Sequence, residues 1–330
     1  MKNNILVEKQ QDYLSHDNTN CLKGIFAVFV LIHHLYQYSG LFDDSAIGLA
    51  FQALGYLSVG MFFFYTGYGM MVSKNKIGYV KFMGRRRILP LYLFYVFLII
   101  FYTAWQLILH YPVSHADIIQ SFLFGKTIVP LGWYLQVAFI IYLLLWGVFI
   151  IVKKDTECLS ITIIVLVLYS VICNICGLAS TWYESVFCVV LGMSWAVNKN
   201  KIDNLLDRKT WRMFLVSAFL FLISVVGTKI SPLLNIEIKM ISAVFFSVFI
   251  TVATYVFPNF FYNNYITRVL GKYSLEIYVS QGFFLLLRKG SSIYIDNPYF
   301  FICIVIMGTG LMSLVMKLVY EQITKKIKCL

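Results

Sequence analysis

Residues 128–152 read IVPLGWYLQVAFIIYLLLWGVFIIV, 25 positions without one charged side chain, framed by Lys126 before and Lys153 and Lys154 after. A helix rises about 1.5 Å per residue and satisfies its own backbone polar groups, so about 20 apolar residues cross the ~30 Å hydrocarbon core of a bilayer. The run therefore predicts a transmembrane helix. Working outward, similar runs occur at 21–39, 46–72, 88–109, 159–179, 182–197, 211–228, 236–257, 266–287 and 299–320. The predicted fold class is all-α, a polytopic integral membrane bundle of about ten transmembrane helices. The run at 182–197 is the shortest. Only Ala179, Ser180 and Thr181 part it from its predecessor, so the two form a tight hairpin or one re-entrant element.

Composition agrees. Apolar residues make up 60% of the 330, charged residues 13%, and the mean hydropathy is +0.78. A soluble domain carries roughly 45–50% apolar and about 25% charged residues, so this chain lacks the charge to cover a water-facing surface. The 18% of aromatic residues suits helix ends at lipid headgroups.

A net charge of +12 invites a nucleic-acid reading, but the cations sit in short loops between apolar runs, which is the orientation pattern of membrane proteins. With the N-terminus inside, 22 of the 27 Lys and Arg fall on inner segments, and only Lys126, Lys229, Lys239, Arg288 and Lys289 fall outside. Both termini are expected to be cytoplasmic. Nucleic acid is excluded as a partner, and membrane lipid is implied. The expected organisation is one membrane-embedded domain over 1–330 with no appended soluble domain, since the longest inner loop, about 198–210, is too short to fold alone. The first twenty residues lack an apolar signal core. Seven cysteines fall mostly within apolar runs, and the pair Cys173 and Cys176 has no second pair to complete a zinc site, so no metal is expected.

Ionisable groups inside spans are costly and mark function by default. The first run carries Lys23, His33 and His34. Eleven residues at 100° each bring His34 back to within about 20° of Lys23, some 16 Å further along the helix, whereas His33 lies about 80° away. One face thus joins a cation at the inner lip to an imidazole in the bundle, although a lone buried His also serves simply to pack. Arg85, Arg86 and Arg87 precede the third run, in KFMGRRRILPLY. They either set topology or bind an anion, with helix-terminal N–H groups and guanidinium forks matching phosphate. Pro90 suits the first turn of that helix. Trp133 and Tyr134 are either belt residues or site residues. Glu276 lies mid-span and needs a partner or a proton, which points to a catalytic or network role. Asp43, Asp44 and Glu184 sit at outer ends, where solvation is expected. No nucleophile elbow, Walker loop, zincin motif or dinucleotide fingerprint is present.

These segments together resemble the acyltransferase-3 family of ten-helix membrane acyltransferases, which O-acylate surface glycans and related acceptors. LKGIFAVFVLIHHL resembles the family's first helix, in which Lys23 and His34 fit the basic-residue-to-histidine spacing and His33 does not. LSVGMFFFYTGYGM resembles its second-helix pattern, with Thr66 where Ser is commoner. RRRILPLY, GWYLQVAFIIYLLL and LGKYSLEIYVSQG resemble its Arg-rich third-helix entry, its Trp-aromatic-Leu helix and its late Leu-Gly segment. The match runs in order from about 20 to 285. It departs at Gly84, where the family has Arg if Arg87 is the second of its pair, and at Gln281, where many members have His.

The resemblance implies a cytoplasmic acyl-CoA donor, acetyl-CoA in the family's usual chemistry, with no cofactor held by the protein. It implies His34 as general base, Lys23 beside the donor, and Arg85, Arg86 and Arg87 on donor phosphates. Trp133, Tyr134 and His33 would contribute to substrate binding, and Glu276 to catalysis. The acceptor would be a hydroxyl of a cell-surface or lipid-linked carbohydrate, in a bacterial cell membrane. Two rival readings use the same residues: a transporter or flippase for an anionic or lipid-linked sugar, and a non-enzymatic scaffold in polysaccharide assembly. A homo-oligomer is compatible with all three.

Overall fold

The computed structural model describes residues 12–42, 45–123, 125–230, 235–258, 262–288 and 293–329, and every regular element among them is helical. In chain order these are α1 (His16–Ser39), α2 (Ala46–Lys74), α3 (Tyr79–Met83), α4 (Leu89–Ile108), α5 (His115–Phe122) and α6 (Trp133–Ile151). They continue with α7 (Asp155–Ile175), α8 (Phe187–Ile230), α9 (Asn235–Val256), α10 (Tyr265–Lys272), α11 (Ser274–Leu285) and α12 (Pro298–Cys329). Among the described residues eight helical stretches are long and apolar enough to cross a membrane. Outward-facing leucines, isoleucines and phenylalanines on α7 and the second half of α8, such as Ile164, Leu168, Leu215 and Phe219, are exposed as lipid-facing side chains must be.

Two local breaks reconcile eight long stretches with about ten apolar runs. The first is at Lys209 in α8, whose backbone (φ −139°, ψ 32°) is not helical. Before it, Cys188 lies against Ser247 and Asp207 accepts the Tyr255 hydroxyl, so the first arm runs parallel to α9. After it, Trp211 faces Phe257 and Phe221 faces Phe246, with ring centroids 5.8 and 5.1 Å apart, so the second arm runs antiparallel to α9. The chain reverses at Lys209, and the runs 182–197 and 211–228 fall on opposite arms.

The second break divides the run 266–287. It forms α10, then Tyr273 (φ −110°, ψ 12°), then α11 and a 3-10 turn at Leu286–Arg288. A capping box of Asn264 and Thr267 opens α10. The backbone of α10 then touches α1: a Cβ on Gly24 would stand 2.5 Å from the Gly271 nitrogen, and one on Gly271 would stand 2.0 Å from the Asn20 carbonyl oxygen. Lipid supplies no hydrophobic drive between helices, so such small-residue contacts are what bring them together.

Helix directions fix the ends of the bundle. Phe26 meets Phe62 and the His33 ring meets Gly55, so α1 and α2 are antiparallel. Gly24 meets Gly271 while Leu31 and Leu35 share a cluster with Leu285, so the α10–α11 segment runs parallel to α1. Lys317 pairs with Glu276 and Gly308 meets Phe284, so α12 runs back. The start of α1 and the end of α12 therefore share one end of the bundle.

Several expectations need correction or fall outside the description. Glu184 is buried, not solvated, because the turn before α8 folds inward and Ser180 Oγ donates to its carboxylate at 3.2 Å. The loop after α4 contains an additional helix, α5, opened by Ser114, whose hydroxyl accepts from the Asp117 N–H. Lys2, Lys9, Asp43, Asp44 and Lys289 lie outside the described residues, as does the side chain of Lys229.

Candidate active site

α3, a π-helical turn at Gly84–Ile88 and α4 form one continuous helical path. The reason for the wide turn is local. Pro90 has no N–H to give the Arg86 carbonyl, and the Leu89 N–H reaches back five residues to the Gly84 carbonyl. Gly84 is also where the path meets α6. A Cβ there would stand 3.0 Å from the Trp146 ring, and the Trp146 indole donates to the Val80 carbonyl at 2.9 Å. Trp146 thus fills the space that a side chain at position 84 would need.

This geometry revises the expected anion site. The three arginines do not stand at a free helix N-terminus, because the helix already begins at Tyr79; any anion binding rests on their guanidinium groups. They also diverge. Arg85 Nε and Nη2 donate to the Ile327 carbonyl at 3.2 and 3.1 Å and so tie the π turn to the last turns of α12. Arg86 stacks 4.8 Å over Phe82, and Arg87 lies 5.3 Å over Tyr79.

Arg86 and Arg87 line a cavity of about 350 Å³ at the end of the bundle where α1 begins. Lys23 of α1 and Thr66 of α2 line it too, with Tyr134 and Tyr142 of α6, Ser274 and Tyr278 of α11, and Tyr320 of α12. Among the described residues none of the three cations has a carboxylate within ion-pair distance. The tyrosines interlock, Tyr134 edge-on to Tyr278 at 5.1 Å, and the Tyr278 hydroxyl donates to the Leu131 carbonyl at 2.6 Å. Three unpaired cations beside an aromatic wall give the cavity the means to hold an anionic group, since guanidinium forks match carboxylate or phosphate oxygens.

His34 is buried three turns along α1 from Lys23 and is not part of this lining. Its Nδ1 lies 3.1 Å from Gln37 Oε1, and Gln37 Nε2 in turn faces Gln52 Oε1 at 3.4 Å. A carbonyl oxygen only accepts, so Nδ1 carries the proton of the neutral ring and Nε2 keeps its lone pair. In this tautomer Nε2 is the nitrogen able to accept a proton. His33 is held differently. Its Nδ1 faces the Phe51 carbonyl at 3.1 Å, and its Nε2 edge presses on Gly55, where a Cβ would come within 2.6 Å. His33 thus packs into α2.

Of the other candidates, Tyr134 is in the cavity wall and Trp133 stands edge-on behind it at 6.2 Å. Glu276 is buried outside the lining. Lys317 Nζ lies 3.2 Å from its Oε1, close enough for an ion pair though not aligned as a hydrogen bond, and also donates to the Lys272 carbonyl. The structure thus brings Lys23, Arg86, Arg87 and Tyr134 together, and leaves Arg85, Glu276, Trp133 and both histidines outside the cavity. Sequence reasoning passed over Tyr142, Ser274, Tyr278 and Tyr320. Tyr278 and Ser274 sit inside the quoted LGKYSLEIYVSQG segment, which was the available signal; nothing sets Tyr142 or Tyr320 apart from the other tyrosines.

A family model described as an acyltransferase domain, Acyl_transf_3, matches residues 17–317. The chain belongs to the acyltransferase-3 family. No curated protein and no solved structure shows significant similarity to it. The match extends from the first turn of α1 into α12 and takes in every candidate residue named from the sequence, while Tyr320 and Ile327 lie just beyond it. Membership of the acyltransferase-3 family, together with the apolar helices, makes this an integral membrane acyltransferase.

Proposed function

We propose that the protein transfers an acetyl group from acetyl-CoA to a hydroxyl of a cell-surface or lipid-linked carbohydrate. The observation that carries the donor assignment is the cavity with three unpaired cations, Lys23, Arg86 and Arg87. Coenzyme A is a polyanion ending in a long uncharged arm. Its phosphates suit the guanidinium groups at the mouth, and the arm then follows the face of α1 from Lys23 towards His34, about 16 Å away.

In the reaction, His34 Nε2 takes the proton from the acceptor hydroxyl as its oxygen attacks the thioester carbonyl carbon. The C–O bond forms, the C–S bond breaks, and the departing CoA thiolate takes the proton back from the imidazolium. The products are an O-acetyl ester and free CoA, and His34 returns to its starting tautomer. The Lys and Arg asymmetry supports a basic mouth on the cytoplasmic side, where acetyl-CoA is available; the membrane proposed is a bacterial cell membrane.

Binding tests the donor half. Purified protein in detergent is expected to bind acetyl-CoA, to lose it to excess CoA, and to bind more weakly as ionic strength rises, since the mouth is solvated and its charges are screened. Absence of saturable binding at low salt would remove the donor assignment.

A further inference from the structure

A second cavity, of about 670 Å³, opens at the opposite end of the bundle. The two are related through α1, whose Lys23 lines the first and whose Tyr38 lines the second, fifteen residues or about 22 Å further along. Their chemistry differs. Among the described residues Asp117 and Lys126 are the only charged side chains lining the second, and they neutralise each other at 2.7 Å. The rest of the polar lining is uncharged: Tyr38, Tyr111, Gln106, Ser114 and Thr127. Gln106 is fixed by a 2.6 Å bond from Nε2 to the Ile128 carbonyl, and the Thr127 and Tyr95 hydroxyls bond at 2.7 Å. Fixed amide and hydroxyl groups beside aromatic rings, at net zero charge, suit the hydroxyls and apolar ring faces of a sugar and offer a polyanion nothing.

The two cavities share a wall. Thr127, Ile128 and Pro130 line the second, and the next carbonyl, that of Leu131, accepts the hydroxyl of Tyr278 from the first. The Leu131 side chain packs on the cluster of Leu31, Leu35 and Leu285, which includes the turn of α1 that carries His34. Leu131 also has φ +62°, a conformation that a branched side chain rarely adopts, so its surroundings hold this wall in place against local preference.

We infer that this second cavity is the acceptor site, that it takes a neutral polyhydroxylated molecule such as a sugar residue of a glycan, and that the acceptor approaches His34 from the end of the bundle opposite to the donor. The inference rests on the acyltransferase reading above, and its test separates the two. Proteoliposomes are given acetyl-labelled acetyl-CoA and surface polysaccharide prepared from cells lacking this protein. Two variants alter the second cavity: Val113→Trp fills it and Tyr111→Ala removes one ring. The polysaccharide concentration for half-maximal transfer is expected to rise at least tenfold in each, with the KM for acetyl-CoA within twofold of the unmodified protein. Using two variants guards against one that fails to fold, which its thermal midpoint reveals. Unchanged polysaccharide dependence in the folded variants overturns the inference, as does a raised acetyl-CoA KM, which would assign the cavity to the donor. If the unmodified protein binds acetyl-CoA yet labels no polysaccharide, the glycan reading itself fails and the acceptor site with it.

Discussion

Alanine at position 34 is expected to lower acyl transfer by about 10²–10⁴-fold, the usual loss when a general base is removed, while membrane levels and acetyl-CoA binding persist. The expectation comes from geometry. The neutral His34 ring is held by Gln37 with its proton on Nδ1 and its lone pair on Nε2, and it lies on the face of α1 that begins in the basic cavity at Lys23. His33 offers the contrast. Its ring bonds to the Phe51 carbonyl and presses against Gly55, so His33→Ala should retain most activity and lose some packing between α1 and α2. Both variants are compared by acceptor acylation at matched membrane levels. An inactive His33→Ala beside an active His34→Ala would show that the wrong imidazole has been chosen.

Replacing Arg86 and Arg87 together by Gln is expected to raise the KM for acetyl-CoA by about a hundredfold. A charge-assisted hydrogen bond contributes on the order of 1.5–3 kcal/mol, which is roughly tenfold or more for each lost phosphate contact. Arg85→Gln should leave that KM within about threefold, because Arg85 is committed to the Ile327 carbonyl at the end of α12. The KM of the three single variants and the double variant decides between donor binding and a purely topological role. Equal effects at all three positions, or none in the double variant, would mean that the divergence of the arginines has no part in donor recognition.

The sequence was informative where periodicity and solvent dictate structure. Each of the ten apolar runs falls mainly on helix, because a bilayer leaves the backbone little alternative. Eleven residues between Lys23 and His34 fix a shared face whatever the tertiary packing, and the same phase turns His33 towards α2. What lay hidden depends on partners distant in sequence. Three adjacent arginines look equivalent until Ile327, 242 residues away, claims one of them. Gly84 reads as a departure from the family pattern until Trp146 is seen against it. The break at Tyr273 leaves no trace in hydropathy, since α10 and α11 are joined by one residue and both pack on α1. The second cavity was equally invisible, because the loop that lines it carries no long apolar pattern and its helix α5 is only eight residues long.

The most direct measurement counts products. The purified protein is reconstituted in proteoliposomes with acetyl-labelled acetyl-CoA and surface polysaccharide, and both released CoA thiol and alkali-labile label on the polysaccharide are quantified. The account predicts one ester formed for each thiol released, with neither product in His34→Ala. Polysaccharide that crosses the bilayer while the thioester stays intact, or thiol release without any ester on the glycan, would contradict it.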